Sequence, residues 1–580
     1  MKRNNCFLLA LCVISLLIVS CGKKDSDPVT PTPPPGVPDL PITPQVDPDP
    51  ANTIGFFLND WVARSFTVPT TTTASSGPAA AIVTVSVDRS NVVTKIPRSI
   101  AGNNANMWMT QIVTEPTLMD HITTIHPHII RFPGGSASDV FFWNAAPGAA
   151  PADAPAQLVK ADGTSAASGY WFGKNTGGWT FSVDNYYNML QQTGNQGMIT
   201  INYGYARYGT GTNPVAAAAH LAADWVRYDR GRTKYWEIGN ENFGDWEAGY
   251  RIKLADNKDG QPEFLTGQLY GQHFKVFADS MRKAAQEVGA TIYIGCVTSE
   301  QAPLSWWTST AKNWNSGIVS GAGSTPDYYI VHNYYTAYQT NAKAAEILST
   351  PIDITGPMMS YVKQVLANGG ITQKPVVLNE WNIFSQGSKQ AVSQVNGLHA
   401  VLVLGEAIKN KYGMTSRWDL ANGWDNGNDH GMFSSGDEPD GVAKWTPRPA
   451  FYHMYFFQKY LGDRLVSSSS NSTDIISYAS SFTSGETAVA LVNKSADVKT
   501  VEISITNFKK GLKYYWYTLS GSSDNGEFSR KTIINNVAPT QAAGGPADYK
   551  TIAPFSASTT GGIKVTVPGL SSVFLVVEKN

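Results

Sequence analysis

Short apolar runs alternate with stretches of helical periodicity over residues 96–463. Runs of four to eight apolar residues predict buried strands, and apolar residues that recur every three or four positions predict amphipathic helices. The predicted strands are Ser99–Trp108, Ile129–Gly135, Gly197–Gly204, Tyr235–Glu241, Thr291–Val297, Tyr328–Tyr335, Pro375–Asn382 and Arg417–Asp425. Eight such alternations predict an α/β domain, a closed parallel (β/α)8 barrel of the TIM type.

Helical periodicity disappears after Gly462, and short strands with alternating apolar positions follow, for example Thr487–Asn493 and Val501–Ile505. Strands of this kind, separated by turn residues, predict a C-terminal antiparallel β-sandwich over residues 464–580. The segment 51–95 is also strand-like, and we expect it to join either the sandwich or the barrel.

The N-terminus has the pattern of an export signal over residues 1–20. Two basic residues precede the apolar run Phe7–Val19, which is too short to span a bilayer as a helix. The end of the run resembles the lipobox of bacterial lipoproteins, which implies cleavage before Cys21 and lipidation of its thiol. Residues 21–50 are rich in proline and predict an extended tether. We therefore expect a protein of the bacterial cell envelope, lipid-anchored to the outer membrane and surface-exposed or periplasmic.

Charge and composition narrow the class of ligand. The chain has 44 Lys and Arg against 45 Asp and Glu, so a surface that tracks nucleic-acid phosphates is not expected. It contains 16 Trp, 26 Tyr and 23 Phe, whose flat side chains suit neutral, polar ligands such as sugars. Once the signal is removed and Cys21 is lipidated, Cys296 has no partner, which excludes a disulfide framework. We expect no metal and no cofactor.

Two carboxylates at the ends of predicted strands are the main candidates for chemistry. The dipeptide Asn-Glu occurs only twice, as Asn240-Glu241 at the end of strand four and as Asn379-Glu380 in strand seven. Both glutamates are expected at the mouth of the barrel, where the active sites of such barrels lie. Two carboxyls about 5 to 5.5 Å apart support retaining glycoside hydrolysis by double displacement. Protonation of the leaving oxygen would require a raised pKa for Glu241, while Glu380 stays ionised and Asn240 orients a substrate hydroxyl.

Four motifs together resemble the clan A glycoside hydrolases and, within that clan, the family 51 α-L-arabinofuranosidases. They are Trp236–Glu241, Glu380–Asn382, Arg131–Gly135 and His332–Tyr335. The resemblance covers roughly residues 83–463 and implies an O-glycosyl hydrolase with a retaining mechanism.

The roles that this family assigns to matching positions can be carried over to single residues. The resemblance implies that Glu241 is the acid/base, that Glu380 is the nucleophile, and that Asn240 binds the 2-hydroxyl. It also implies that Arg131 supports the side of the nucleophile. His332 and Tyr334 are implied to form hydrogen bonds around it.

The loops leave the substrate open. Two long segments, Asn144–Gly178 and Arg251–Thr266, are expected to build up the rim, and a high rim makes a cleft. An endo-acting β-glycanase, such as a glucanase, xylanase or agarase-like enzyme, therefore competes with an arabinofuranosidase for plant or algal polysaccharide. A non-catalytic surface glycan-binding lipoprotein is the alternative from another class. Candidate sugar platforms are Trp143, Trp171, Trp179, Trp246, Trp306, Trp307, Trp424 and Trp445, of which Trp424 and Trp246 are the preferred substrate-binding residues.

Overall fold

The structure, a computed structural model, describes residues 42–580. The predicted signal, the predicted lipidation site Cys21 and most of the predicted tether lie outside the described residues. Within residues 42–580, none of the helices combines the length and the apolar character that crossing a bilayer requires.

Eight parallel strands close into a barrel, as the alternating pattern predicts. They are β1 Gly102–Asn104, β2 Ile129–Phe132, β3 Gln196–Ile201, β4 Thr233–Ile238, β5 Tyr293–Val297, β6 Tyr328–Tyr334, β7 Val376–Asn382 and β8 Met414–Arg417. The barrel closes where β8 pairs with β1, with Ser416 opposite Gly102. The predicted eighth strand, Arg417–Asp425, is wrong except for its first residue. The chain leaves the barrel after Arg417 because Ala421–Asn422 pairs instead with Phe433–Ser434 in a small separate sheet on the rim.

Helices connect the strands on the outside of the barrel. They are α1 Pro116–Ile125, α2 Val183–Thr193, α3 Gly204–Tyr208, α4 Pro214–Asp229, α5 Gly267–Glu287, α6 Ser309–Lys312, α7 Trp314–Ala322, α8 Ala344–Asn368, α9 Gln394–Lys409 and α10 Pro449–Tyr460. Five of these helices, α2, α4, α5, α6 and α9, start with a side chain that accepts a hydrogen bond from a backbone amide of the first turn. The side chain of Asn213 accepts a hydrogen bond from the amide of Ala216 at the start of α4, and Pro214 takes the first helical position.

The C-terminal residues form a strand-rich domain. Its strands are β9 Arg464–Ser470, β10 Ile475–Ser481, β11 Thr487–Asn493, β12 Lys499–Thr506, β13 Lys510–Ser520, β14 Phe555–Ser558, β15 Ile563–Val567 and β16 Ser571–Lys579. They belong to one hydrogen-bonded sheet of 11 strands, mainly antiparallel, that encloses an apolar core. The long strand Val83–Lys95 lies inside this sheet between β9 and β12, and it pairs in parallel with β12.

Residues 54–58, which precede this long strand in the chain, close the bottom of the barrel. Ile54 and Phe57 are fully buried and pack against residues at the N-terminal ends of the barrel strands, among them Tyr235 and Tyr328. The ring of Phe56 stacks on Tyr293 with 3.7 Å between centroids. The opposite, C-terminal end of the barrel is therefore the open one.

The predicted tether ends earlier than residue 50. Residues 42–50 are extended but bound to the β-domain. Asp47 forms ion pairs with Lys95 and with Arg464, and the side-chain amide of Gln45 donates to the hydroxyl of Ser481. These pairs join positions that are far apart in the chain, which is why composition alone places this stretch in the tether.

Candidate active site

A tight turn carries Glu241 over the mouth of the barrel. Gly239, directly after β4, has φ of +76°, and a Cβ at this position would lie 2.0 Å from the side-chain oxygen of Asn242. Only glycine fits such a position. Glu241 itself has φ of +41°, which an L residue adopts at some cost in free energy. Glu380 needs no special turn because it lies within β7.

The two glutamates meet at the mouth. One carboxylate oxygen of Glu241, one of Glu380 and a ring nitrogen of His332 all lie within 4.8 Å of one another. The side chain of Glu380 is 7% exposed and that of Glu241 is 19% exposed. The pair is therefore largely shielded from water but remains open to a ligand.

Both oxygens of Glu380 accept hydrogen bonds. The hydroxyl of Tyr334 donates to Oε1 at 2.8 Å, and Nη1 of Arg131 donates to Oε2 at 2.8 Å. Burial and the charge of Glu380 raise the pKa of Tyr334 well above its usual value, so the phenol keeps its proton. The ring of Tyr334 stacks on Phe384 with 4.2 Å between centroids, which fixes the position of the hydroxyl.

Arg131 is a fully buried cation at the floor of the site. It makes a bidentate ion pair with Glu237, with N–O distances of 2.7 and 3.1 Å, in addition to its bond to Glu380. Its remaining contacts are to the side-chain oxygens of Asn104 and Asn240, at 2.9 and 2.8 Å. Although burial alone would lower it, the pKa of Arg131 is raised by the charges of the two glutamates. The guanidinium therefore stays charged and holds Glu380 in a fixed orientation.

His332 connects Glu241 to the floor of the site. Its Nδ1 lies 2.8 Å from Oε1 of Glu241, and its Nε2 lies 2.9 Å from the side-chain oxygen of Asn379. Burial lowers the pKa of His332, but the charge of Glu380 and the contact with Glu241 raise it above its usual value overall.

The expected raised pKa of Glu241 is wrong for this state of the protein. Burial acts to raise the pKa of this carboxyl, but the hydrogen bond and charge of His332 and the charge of Arg131 outweigh burial and lower it. The neighbouring Trp246 side chain also lowers the pKa of this carboxyl. The sequence alone could not predict the direction of this pKa shift, because the shift depends on Arg131 from β2 and His332 from β6.

Asn240 is held between charged side chains. Its oxygen accepts from Arg131, and its amide nitrogen donates to Oε1 of Glu247 at 3.0 Å. The backbone N–H of Asn240 donates to Asp139, which is fully buried. Burial raises the pKa of Asp139 to about 7 and that of Glu247 well above its usual value. The turn that carries Asn240 and Glu241 is thus supported by two buried acids.

Sequence reasoning identified the residues that touch the centre but missed those beneath them. The missed residues are Asp139, Glu237, Glu247, Asn379 and Glu300. Burial raises the pKa of Glu300 to about 7, and the charge of Glu241 acts in the same direction. Glu237 and Asn379 are polar residues inside apolar barrel strands, which is a usable signal. Asp139 lies in a short 3-10 helix, Ser136–Val140, and Glu247 lies in a bend of the chain, and in neither place does the sequence offer a comparable pattern.

The tryptophans predicted as sugar platforms divide into three groups by their exposure. Trp143 is buried and stacks on Trp225, and Trp445 is buried with its indole N–H donating to Glu115, so both are packing residues. Trp179, Trp246 and Trp306 are more than 60% exposed. The partly exposed residues are Trp171, Trp307 and Trp424. The guanidinium of Arg530, from the β-domain, lies 5.7 Å from the ring of Trp424.

One donor set within residues 42–580, formed by Glu241, His332 and Glu380, has the chemistry to hold a cation. Both oxygens of Glu380 already accept hydrogen bonds, one from Arg131 and one from Tyr334. The positive charge of Arg131 therefore already lies beside the carboxylate that a cation would have to bind. This arrangement suits a carboxylate pair that acts on an organic substrate better than it suits a metal ion.

Comparison with known proteins agrees with this fold. No protein-family model matches the chain. A probable α-L-arabinofuranosidase C from Aspergillus flavus is 22% identical over 307 residues, which cover 47% of this chain and 52% of that protein. The chain thus spans about half the length of the curated relatives it matches.

The similarity to solved structures is more extensive. A GH51 α-L-arabinofuranosidase from Thermotoga petrophila RKU-1 matches with a TM-score of 0.57 and 17% identity, covering 86% of this chain and all of that chain. A family 44 xyloglucanase from Paenibacillus polymyxa matches with a TM-score of 0.56 and 12% identity over the same shares. The predicted resemblance to family 51 is confirmed: this chain is similar in sequence to curated α-L-arabinofuranosidases and in fold to GH51 α-L-arabinofuranosidases.

Proposed function

We propose that the protein is a retaining glycoside hydrolase that cleaves plant or algal polysaccharide by double displacement, most like an α-L-arabinofuranosidase. The observation that carries the proposal is the approach of the Glu241 and Glu380 carboxylates within 4.8 Å. Retaining enzymes hold their two carboxyls about 5 to 5.5 Å apart, and inverting enzymes hold them about 6.5 to 9.5 Å apart to admit a water molecule. The curated relatives, named as arabinofuranosidases, support the same class.

In the first step, an oxygen of Glu380 attacks the anomeric carbon while Glu241 gives a proton to the leaving oxygen. The bond to the leaving group breaks, and a glycosyl ester forms on Glu380. Arg131 and Tyr334 hold the attacking carboxylate by the two hydrogen bonds described above. In the second step, Glu241 takes a proton from water, whose oxygen displaces Glu380 and restores both carboxyl groups.

The lowered pKa of Glu241 is compatible with these two roles if the proton is shared with His332. When the leaving oxygen binds, the proton at Nδ1 of His332 passes to Glu241 and then to that oxygen. After the ester forms, Glu380 no longer carries the charge that raised the pKa of His332. The ionised form of Glu241 is then the form required to activate water. The proton that Glu241 takes from water returns to Nδ1 of His332 when Glu380 is ionised again.

The test is the Glu380→Gln variant assayed on arabinoxylan and on aryl arabinofuranosides. We expect turnover to be abolished and a fluoro-sugar inhibitor to label Glu380 in the parent protein. Glu287→Gln, which changes an exposed surface glutamate, serves as the matched control and should turn over normally. Near-normal rates in Glu380→Gln, or a product of inverted anomeric configuration, would refute the mechanism.

An endo-acting β-glycanase is the second candidate, and the exposed Trp179 on the long insertion favours it. A product-size profile from arabinoxylan, xylan, mixed-linkage glucan and agarose separates the two. Release of monosaccharide alone supports the arabinofuranosidase, and ladders of oligosaccharides support the glycanase. If the parent protein hydrolyses none of these but binds them, the non-catalytic glycan-binding lipoprotein is the better description.

We also propose that the protein is anchored to the outer membrane through a lipid on Cys21. The proposal is supported by the signal-like pattern of residues 1–20 and the proline-rich stretch that follows. Incorporation of radiolabelled palmitate, lost in Cys21→Ser, would support it, and absence of label in the parent protein would refute it.

A further inference from the structure

We propose that the exposed and half-buried indoles of Trp179, Trp171 and Trp108, backed at the inner end by the nearly buried indole of Trp418, form a continuous binding surface for a chain of neutral sugar residues that leads out of the active site. We call this set the Trp row. The proposal rests on the proposed function and extends it, because it assigns the substrate class: a polysaccharide bound over several residues, rather than a single terminal sugar.

The Trp row occupies one side of the barrel mouth. Trp418 directly follows β8, Trp108 lies after β1, and the other two lie on the insertion after β2. The strands β8, β1 and β2 are neighbours in the barrel, whereas Trp246 follows β4 on the far side. The Trp row and Trp246 therefore lie on opposite sides of the barrel mouth, where the two carboxylates meet.

The inner end of the Trp row adjoins the nucleophile. A Cβ on Gly135 would lie 2.7 Å from the six-membered ring of Trp418, so the indole rests directly on this backbone. A Cβ on Gly134 would lie 3.3 Å from Trp418 and 3.3 Å from Nη1 of Arg131, the atom that donates to Glu380. The two glycines thus bring the first indole of the Trp row next to the catalytic machinery.

The rings form a connected series. The centroids of Trp418 and Trp108 are 6.2 Å apart, those of Trp108 and Trp171 are 6.0 Å apart, and those of Trp171 and Trp179 are 5.8 Å apart. Successive rings are inclined by 53° to 62°, so the contacts are tilted or edge-to-face and no two neighbouring rings are stacked in parallel. Exposure increases outward, from 7% at Trp418, through two half-buried rings, to 61% at Trp179.

The outer part of the Trp row is held in place before any ligand binds. The hydroxyl of Thr180 and the amide of Phe181 both donate to the carbonyl of Met107, at 2.9 and 2.8 Å. The side chain of Gln111 donates to the carbonyl of Gly177 at 2.9 Å. These bonds tie the loop that carries Trp179 to the segment that carries Trp108. A ligand therefore does not have to order this surface, which reduces the free-energy cost of binding.

The chemistry of the surface selects a neutral ligand. Among the described residues, no Lys or Arg side chain is found over any of the four rings, although cation–π contacts occur at other aromatic residues of the chain. Aromatic faces without neighbouring cations suit the C–H faces of uncharged sugars. Several consecutive rings suit several consecutive sugars, which only a polymer or a long oligosaccharide provides.

Trp179→Ala tests the proposal with Trp179→Phe as the conservative variant. We measure kcat/KM on the polysaccharide that the parent protein degrades and on an aryl glycoside that fills only the central position. We expect the ratio of the two values to fall about tenfold in Trp179→Ala, mainly through KM on the polymer, the loss typical of one aromatic contact. In Trp179→Phe the ratio should fall only slightly. Leu512→Ala, which changes a residue on β13 that is 80% exposed, should keep all of it.

An unchanged ratio in Trp179→Ala would overturn the Trp row. Failure of the proposed function is recognised separately, by affinity electrophoresis in gels that contain the polysaccharides of the panel. If the parent protein hydrolyses none of them but is retarded, and Trp179→Ala is retarded less, the Trp row stands and the hydrolase does not. If no polysaccharide retards the parent protein and none is hydrolysed, the Trp row is refuted as well.

Discussion

Nδ1 of His332 lies 2.8 Å from Oε1 of Glu241, and the other ring nitrogen faces the side-chain oxygen of Asn379. The amide nitrogen of Asn379 donates to Glu237, a carboxylate that is already bound to Arg131, so the amide has only one orientation. Nε2 of His332 must then carry a hydrogen. One further proton remains for the space between Nδ1 of His332 and the carboxylate of Glu241.

Replacing His332 by Gln should move the alkaline limb of the pH profile of kcat/KM to lower pH. The pKa of His332 is raised above its usual value by the two glutamates, so the imidazole keeps the shared proton available to higher pH than Glu241 alone would. His220→Gln removes an exposed histidine on α4 and should leave the profile unchanged. A profile that does not move in His332→Gln would show that the proton is not shared.

Glu241→Gln should lower turnover on polysaccharide about 10²- to 10⁴-fold, the usual contribution of general acid–base catalysis. The loss should be smaller on an aryl glycoside with an activated leaving group, because that group departs without a proton. Azide should restore part of the rate by replacing the water that Glu241 would activate. Equal losses on both substrates, with no effect of azide, would argue against an acid/base role.

Arg131→Met should destabilise the protein by about 3 to 5 kcal/mol, because it leaves the fully buried charge of Glu237 without its partner. Adding Glu237→Gln removes that charge and should recover much of the thermal midpoint. Activity should stay low in the double variant because Glu380 still lacks its donor. If the double variant is no more stable than Arg131→Met, the ion pair is not what stabilises this floor.

Glu300→Gln should reduce the loss of thermal stability between pH 5 and pH 8. Burial raises the pKa of Glu300 to about 7, above the ordinary value of 4.5. Its contribution to stability is therefore complete below about pH 4.5 and is lost as the pH rises through about 7. The thermal midpoint of the parent protein should fall over this interval, and less so in the variant. Glu287→Gln, at an exposed ion pair, should follow the parent protein, and identical slopes in all three would refute the assignment.

Much of the fold could be predicted because it depends on local pattern. The apolar run Val376–Leu378 is continuous, and the run around Trp236 is interrupted by Glu237 alone before it reaches Gly239. Near-continuous apolar runs of this kind are typical of strands buried on both faces. The predicted eighth strand is too late in the chain because Leu420 and Ala421 are buried at the rim sheet, where Ala421 pairs with Phe433, and not in a barrel strand.

The barrel, the β-domain and the position of the two glutamates at strand ends follow from the sequence, since strand length, apolar period and a polar residue at a strand end are local properties. The direction of the Glu241 pKa shift follows from the folded arrangement, because His332 and Arg131 reach this carboxyl from other strands and together outweigh its burial. The folded arrangement also separates the indoles that only pack in the core, such as Trp143, from those that lead from the active site toward solvent, such as Trp171 and Trp179. Electrostatics and exposure depend on which surfaces meet in space, and distance along the chain does not fix that.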